Sequence, residues 1–432
     1  MNGTYFENVV VNKSVTLKGI DNPVVDANGS GSVIILSADM ITLEGFNVTN
    51  SGDLAGDAGI KVLSCSNSIS GNTAINNYLD IFLYYSSNNT VTDNNVSVER
   101  YSPLLNSSIN NRYDIYNSSS NDTIIQLPTF PPLIQHPPTH PPSLPLLNGN
   151  GYGIGIFLYY SSINNISDNT VSNNGWYGIY LSFSGNNDIS GNTLNDNNDD
   201  GIRLLYSSNN ILTNNTFENN GLFVDSSYHN TVEDNTVNDE PLVYLEDADD
   251  VEVINAGQVI LVNCTNITVE NLDLSNTSVG IELWQTENSR IKNNKMSNNN
   301  DDGIELMDST NNVISGNNVF DNSDNGILLG FSRSNIIYLN NIMNNTDNAY
   351  TFGSANIWNS TETLTYTYNG TIFKNNMGNY WDDYAGTDAN NDGIGDTPYV
   401  INGDQDDYPL MQQWENYFGH PNITSFVPQS PV

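Results

Sequence analysis

One short stretch concentrates oxygen donors at metal-ligand spacing. In Asp388-Ala-Asn390-Asn-Asp392-Gly393-Ile394-Gly-Asp396, side-chain oxygens fall at loop positions 1, 3, 5 and 9, a glycine at 6, and a backbone carbonyl at 7. A hard cation takes six to eight oxygens around a tight turn, so Asp388, Asn390, Asp392, the Ile394 carbonyl and Asp396 read as calcium ligands. The bidentate Glu usual at position 12 is replaced by Tyr399, and Asp382, Asp383 or Asp404 are candidates to complete the shell. The alternative is a solvated acidic loop.

A second set could do acid/base work. Glu282 and Glu305 lie 23 residues apart in matching contexts, Gly280-Ile-Glu-Leu and Gly303-Ile-Glu-Leu, both expected to point outward. Carboxylates one strand spacing apart match the separation of a retaining glycosidase pair, and like charge would drive one of them to hold its proton. Repeats align carboxylates automatically, however, so the same pair also reads as architecture. Asp199-Asp200 and Asp301-Asp302 each precede Gly-Ile as well, but five coils apart they are not expected to share a site.

The elements that must position these residues are set by the repeat. Gly155, Gly178 and Gly201 recur every 23 residues, as do Gly280, Gly303 and Gly326. Each unit runs Gly-Ile, a short apolar strand with period-two alternation, small polar residues, an Asn, another apolar residue and an Asn-rich turn, with no competing helical period. Such units bury their apolar face only against neighbours above and below, which predicts an all-β fold, a parallel β-helix of coils of about 23 residues. The Asn columns (Asn164, Asn187, Asn210; Asn169, Asn192, Asn215; Asn294, Asn317, Asn340) suit amide ladders and left-handed corners and receive no binding role. A column of Tyr160, Phe183 and Tyr206 is expected as an aromatic stack in the coil interior, the other reading being a sugar-stacking strip.

Along the chain, residues 1–98 read as N-terminal coils. Residues 99–150 read as an inserted Pro-rich loop, with eight of the 16 prolines between Pro128 and Pro145. The heptapeptide Ile81-Phe-Leu-Tyr-Tyr-Ser-Ser87 recurs as Ile156 to Ser162, so the solenoid resumes where it paused. Residues 151–350 carry the main coils, 351–416 a Tyr/Trp/Asp-rich C-terminal cap, and 417–432 a linker to a following module.

A formal charge of −38, from 11 Lys+Arg against 49 Asp+Glu, argues against nucleic acid and anionic membranes and favours cations as counter-species. Cys65 and Cys264 fall about seven coils apart in the predicted register and are expected to be free. Sequons such as those at Asn47, Asn165 and Asn266 suit a glycosylated extracellular surface. The N-terminal residues lack a charged and apolar leader, which points to a missing beginning, and no segment reads as membrane-inserted.

Gly378-Asn-Tyr-Trp-Asp-Asp-Tyr384, the Asp388–Asp396 loop, Thr397-Pro-Tyr399, Asp407-Tyr-Pro-Leu410 and Ala256-Gly-Gln-Val-Ile-Leu-Val-Asn263 resemble NosD-like parallel β-helix proteins, especially archaeal cell-surface, S-layer-associated members. The resemblance covers nearly the whole chain outside 99–150. It implies a right-handed β-helix with an irregular calcium-loop cap. Copper-site maturation, one role of the family, wants clustered soft ligands, and the 4 His, 7 Met and 2 Cys here are scattered. Two functions follow as expectations. One is a non-catalytic, calcium-stabilised cell-surface module, structural or adhesive, whose partners are extracellular polysaccharide or other envelope proteins. The other, implied by β-helix relatives, is a polysaccharide lyase or hydrolase using Glu282 and Glu305.

Overall fold

The computed structural model describes residues 3–97 and 153–418. The Pro-rich insertion and the C-terminal linker therefore lie outside the described residues. The fold is an all-β parallel solenoid of about 13 turns, as the repeat predicts, with no α-helix among the described residues. The chain divides into two compact units, Met1–Asp188 and Ile189–Val432.

In the first unit, three parallel sheets are built from strands mostly three residues long. One runs through Thr4–Phe6, Val24–Asp26, Asn47–Thr49, Thr73–Ile75, Asn95–Ser97 and Thr170–Ser172. A three-residue strand sends only its middle side chain inward, so Val25, Val48, Ala74, Val96 and Val171 form one core column, each at most 5% exposed. Successive coils differ in length: Val48 pairs with Ala74 and Ala74 with Val96 in the same sheet. Turns absorb the difference. Leu79–Tyr84 pairs directly with Ile154–Tyr159, so the ladder continues unbroken across the insertion.

Corners divide two tasks between adjacent residues. At Asn88, Ile163 and Asn186 the backbone is left-handed, with φ of 55°, 58° and 59°, and the next residue is a buried Asn. That Asn builds the ladder: the backbone N–H and Nδ2 of Asn89 both donate to Asn164 Oδ1, at 3.0 and 3.1 Å, and those of Asn164 to Asn187 Oδ1, at 2.9 and 3.0 Å. Ser161 and Ser184 form a parallel hydroxyl ladder, Ser161 N–H donating to Ser184 Oγ at 2.9 Å. The repeat glycine has a packing reason, because a Cβ on Gly155 would lie 2.7 Å from the Gly178 carbonyl of the next coil.

The aromatic column is not interior. Tyr160, Phe183 and Tyr206, with Tyr85 one coil earlier, sit at left-handed corners, φ 48°, 50°, 48° and 47°, on the outside of the coil, and Phe183 and Tyr206 are 41% and 45% exposed. Rings of this column stack on one another, Tyr85 to Tyr160 at 5.0 Å and Tyr160 to Phe183 at 4.9 Å, with nearly parallel planes. Neighbouring rings thus occupy each other's faces, which removes the surface a sugar would stack upon.

The second unit begins with the same coil and then reverses. Thr236–Val237 pairs antiparallel with the start of Glu240–Glu246 through a two-residue turn, Asn238 and Asp239, at φ 50° and 69°. Two consecutive positive φ values are the geometry of a type I′ hairpin. From there Glu240–Glu246, Gln258–Val262, Ile281–Trp284, Ile304–Met307, Asn325–Gly330 and Asp347–Phe352 run parallel to each other in one sheet. Val259, Leu261, Ile281, Leu283, Ile304 and Leu306 fill the coil interior. On the opposite face Ile260, Glu282, Glu305 and Leu328 are also buried, at most 2% exposed.

The cap closes the second unit. Trp358 and Trp381, 0% and 1% exposed, cover the end of the core, and Trp381 stacks on Tyr399 at 4.2 Å. Two antiparallel hairpins, Leu364–Tyr368 with Thr371–Asn375 and Tyr399–Ile401 with Asp404–Asp406, finish it. Two amide ladders of this unit end on carboxylates. Asn294, Asn317, Asn340 and Asn379 pass their donors along in turn, and Asn379 N–H donates to Asp406 Oδ2 at 2.7 Å. A parallel ladder, Asn312, Asn335 and Asn356, ends on Asp404 Oδ2 at 3.2 Å.

Candidate functional site

Glu282 and Glu305 are brought together as the repeat predicts, as register partners of adjacent strands. They do not face solvent, which corrects the outward-pointing expectation: both are buried, at 1% and 2% exposure. The hairpin at Asn238–Asp239 explains why. It sets the later coils of this unit against the earlier ones, so the outer face of their sheet is covered. Strand Leu222–Asp225 ends its own sheet there, and side chains take the place of a further strand. Gln258 Oε1 accepts from Leu222 N–H at 3.0 Å while its Nε2 donates to the Leu222 carbonyl at 2.8 Å. Glu282 Oε2 accepts from Val224 N–H at 3.2 Å. Buried edge groups need partners, and these side chains supply them.

The same reversal overturns the separation of the two Asp-Asp pairs. Asn300 Nδ2 donates to the carbonyls of Asn197 and Asp199, both at 3.1 Å, so the turn carrying Asp301-Asp302 lies beside the one carrying Asp199-Asp200. Asp301, Asp302 and Glu305 gather with ligand atoms within 4.8 Å of one another, all buried. Asp302 Oδ1 accepts from Asn325 N–H and Nδ2 at 2.8 and 2.9 Å. Arg203, 5% exposed, pairs with Asp200 at 3.0 Å and lies over the Phe223 ring. The cluster is internal structure.

The Asp388–Asp396 loop closes on itself through its own oxygens. Asp388 Oδ1 and Oδ2 accept from the N–H groups of Asp392 and Gly393 at 3.0 and 2.8 Å, and Asp392 Oδ1 accepts from Ile394 N–H at 2.9 Å. Gly393 turns the chain at φ 88°. Asp396 Oδ2 accepts from Thr387 Oγ1 and Ala389 N–H at 3.1 and 2.8 Å. Ile394 bridges Leu410 in antiparallel fashion, and the bonds of that bridge come from its neighbours, Gly395 N–H to the Pro409 carbonyl and Met411 N–H to the Gly393 carbonyl. Ile394 thus keeps its N–H and carbonyl on the loop side, the side its position-7 role requires. Burial, and then the charges of Asp392 and Asp388, push the Tyr366 phenol well above its ordinary range. Asp382, Asp383 and Asp404 do not join the loop but are engaged elsewhere in the cap, Asp404 with Trp358 Nε1 at 3.2 Å.

One group escaped the sequence reading. His229, Glu246 and Asp247 offer ligand atoms within 4.8 Å of one another, at the corner beside the reversed coil. The signal was a His at a corner where the preceding coil has Asn209. Its partners lie 17 and 18 residues on, in a coil without the regular motif. Both cysteines are free; Cys264 sits in the hydroxyl-ladder position, donating from Sγ to the Leu245 and Val262 carbonyls at 3.3 Å, and burial pushes its thiol up.

Residues 222–386 match the family model for periplasmic copper-binding protein (NosD), and residues 147–256 match that for the right handed beta helix region. These matches support a NosD-like right-handed β-helix protein. No curated protein matches this chain by sequence. Among solved structures it is similar to the A-module of the Azotobacter vinelandii mannuronan C-5 epimerase AlgE4, at 12% identity over 79% of this chain and 86% of that one, TM-score 0.36. It is similar to PfbA, a surface adhesin of Streptococcus pneumoniae, at 13% identity over 88% and 91%, TM-score 0.37. The tailspike of E. coli bacteriophage HK620 is a third, at 11% identity over 82% and 75%, TM-score 0.35. At these scores the likenesses carry no inference about activity.

Proposed function

We propose that the NosD-like chain is a non-catalytic module of an extracellular cell surface, structural or adhesive, that contacts envelope polysaccharide or other envelope proteins and is stabilised by calcium. The archaeal, S-layer-associated setting and glycosylation at its sequons belong to the same proposal. The observation that carries it is the burial of Glu282 and Glu305, with Glu282 accepting the backbone N–H of Val224. A glycan cannot reach a carboxylate pair sealed inside the protein, whereas an edge-capping role accounts for Glu282 there. The net charge of −38 favours a cation-rich exterior in which acidic surfaces bridge to one another through divalent ions.

Asp388, Asn390, Asp392, the Ile394 carbonyl and Asp396 would hold calcium, a donor set of hard oxygens around one tight turn. Bound there, calcium would neutralise the loop carboxylates and lock the cap to Leu410. Chelator-treated protein is expected to show a calcium binding isotherm and a higher melting temperature with calcium, both lost in Asp392→Ala. Absence of a calcium effect sinks that part of the proposal. Incubation with a panel of acidic glycans is expected to give retention on immobilised polysaccharide without reducing-end release. Release abolished by Glu305→Gln would overturn the non-catalytic reading.

A further inference from the structure

We propose that His229, Glu246 and Asp247 form a binding site for a borderline divalent metal ion of the zinc class, separate from the calcium loop. The three contribute an imidazole nitrogen and two carboxylates whose ligand atoms all lie within 4.8 Å of one another. Nitrogen with oxygen is a zinc donor set rather than a calcium one.

The geometry is that of ligands around a shared centre rather than of an ion pair. Glu246 Oε1 already accepts the backbone N–H of His229 at 2.6 Å, and the His229 Nδ1 stands 3.5 Å from that oxygen. That separation is long for a charge-assisted hydrogen bond. It is close to the ligand-to-ligand edge, about 3.3 Å, of a tetrahedron around an ion with bonds near 2.0 Å.

Groups outside the trio hold the carboxylates in place. Tyr244 OH donates to Glu246 Oε2 at 2.8 Å, and Asn263 Nδ2 donates to Asp247 Oδ1 at 2.6 Å. Each ligand carboxylate is therefore oriented by a donor, Tyr244 on Glu246's own strand and Asn263 just past the paired strand, the arrangement that supports metal ligands. Tyr228, the residue before His229, is held in turn by Trp284, whose Nε1 donates to its OH at 2.7 Å. His229 itself occupies a left-handed corner, φ 58°, where Asn meets the backbone requirement in the coil before, so architecture alone does not call for an imidazole. Its side chain is 72% exposed, which leaves an approach for the ion and open positions for water or a further ligand.

The test is calorimetric titration of the chelator-treated full chain with zinc chloride in excess calcium chloride, paired with elemental analysis of the bound metal. One zinc equivalent is expected. His229→Ala and Asp247→Asn should each weaken it by about tenfold or more, while Asp392→Ala leaves it intact. His229 and Asp247 are exposed, so both variants should fold, and circular dichroism checks this. No zinc binding, or zinc binding undiminished in His229→Ala, overturns the proposal; the latter outcome would place the metal elsewhere in the chain.

Discussion

Asp406 shows how far a single side chain is bent to serve the cap. It is buried and accepts from Trp381 Nε1 at 3.0 Å, Asn379 N–H at 2.7 Å and Tyr408 N–H at 2.9 Å. Burial nevertheless pushes its carboxyl up to about 7, the hydrogen bonds only partly opposing it. A raised folded-state value means that the protonated form is favoured by folding. The contribution is therefore complete below the ordinary carboxylate range and is lost as pH rises through about 7. Melting followed by circular dichroism should accordingly show a cap-dependent loss of stability between about pH 4 and pH 7, absent from Asp406→Asn. Gln258 offers a second test at this scale. Gln258→Ala leaves the buried N–H and carbonyl of Leu222 without the partners described above, and urea unfolding should register a loss of roughly 2 to 4 kcal/mol.

Among the elements, the coil was legible and the turn that reverses it was not. Gly303 and Gly326 announce the period because a Cβ on Gly303 would meet the Gly326 carbonyl at 2.7 Å, a constraint written into residue type. The Asn columns were equally plain, since one amide per coil satisfies both its neighbour and the backbone. Asn317→Ala should remove an acceptor for the Asn294 N–H and Nδ2 donors, and chemical denaturation is expected to show a cost of about 1 to 3 kcal/mol. The reversal hides in Asn238-Asp239, because in an Asn-rich chain a type I′ pair looks like any corner. Linear stacking then misplaced everything that depends on lateral packing: the burial of Glu282 and Glu305, the meeting of the two Asp-Asp turns, and the trio at His229. The aromatic column was misplaced for a related reason, because the period shows that rings align without showing on which side of the coil. The Asp388–Asp396 loop, a local motif, needed no tertiary information to be seen, and calcium there is what the titration above tests.

For the whole molecule, the register across the insertion is the informative fact. Leu79–Tyr84 meets Ile154–Tyr159, and Asn94 donates to Asn169, as though residues 99–150 were not there. Their excision leaves Val98 and Gly151–Gly153 to span from Ser97 to Ile154, against three residues between Ile75 and Leu79 one coil earlier. The shortened protein should fold with a melting temperature within a few degrees of the parent, and scanning calorimetry would decide it. A collapse of the transition would show that the insertion supports the coils.

The carboxylate endings of two ladders give the last coils of the second unit a direction. In these two ladders each rung donates toward the next coil, so they behave as chains of aligned dipoles with an accepting face at the start and a donating face at the finish. The starting face is satisfied by ordinary backbone, as where Leu272 N–H meets Asn294 Oδ1 at 3.0 Å. The finishing face needs an acceptor, which the Oδ2 atoms of Asp404 and Asp406 bring. Coils are thus interchangeable at one end and not at the other: lengthening such a protein in evolution is cheap ahead of the cap, whereas a new terminus must carry its own acceptors.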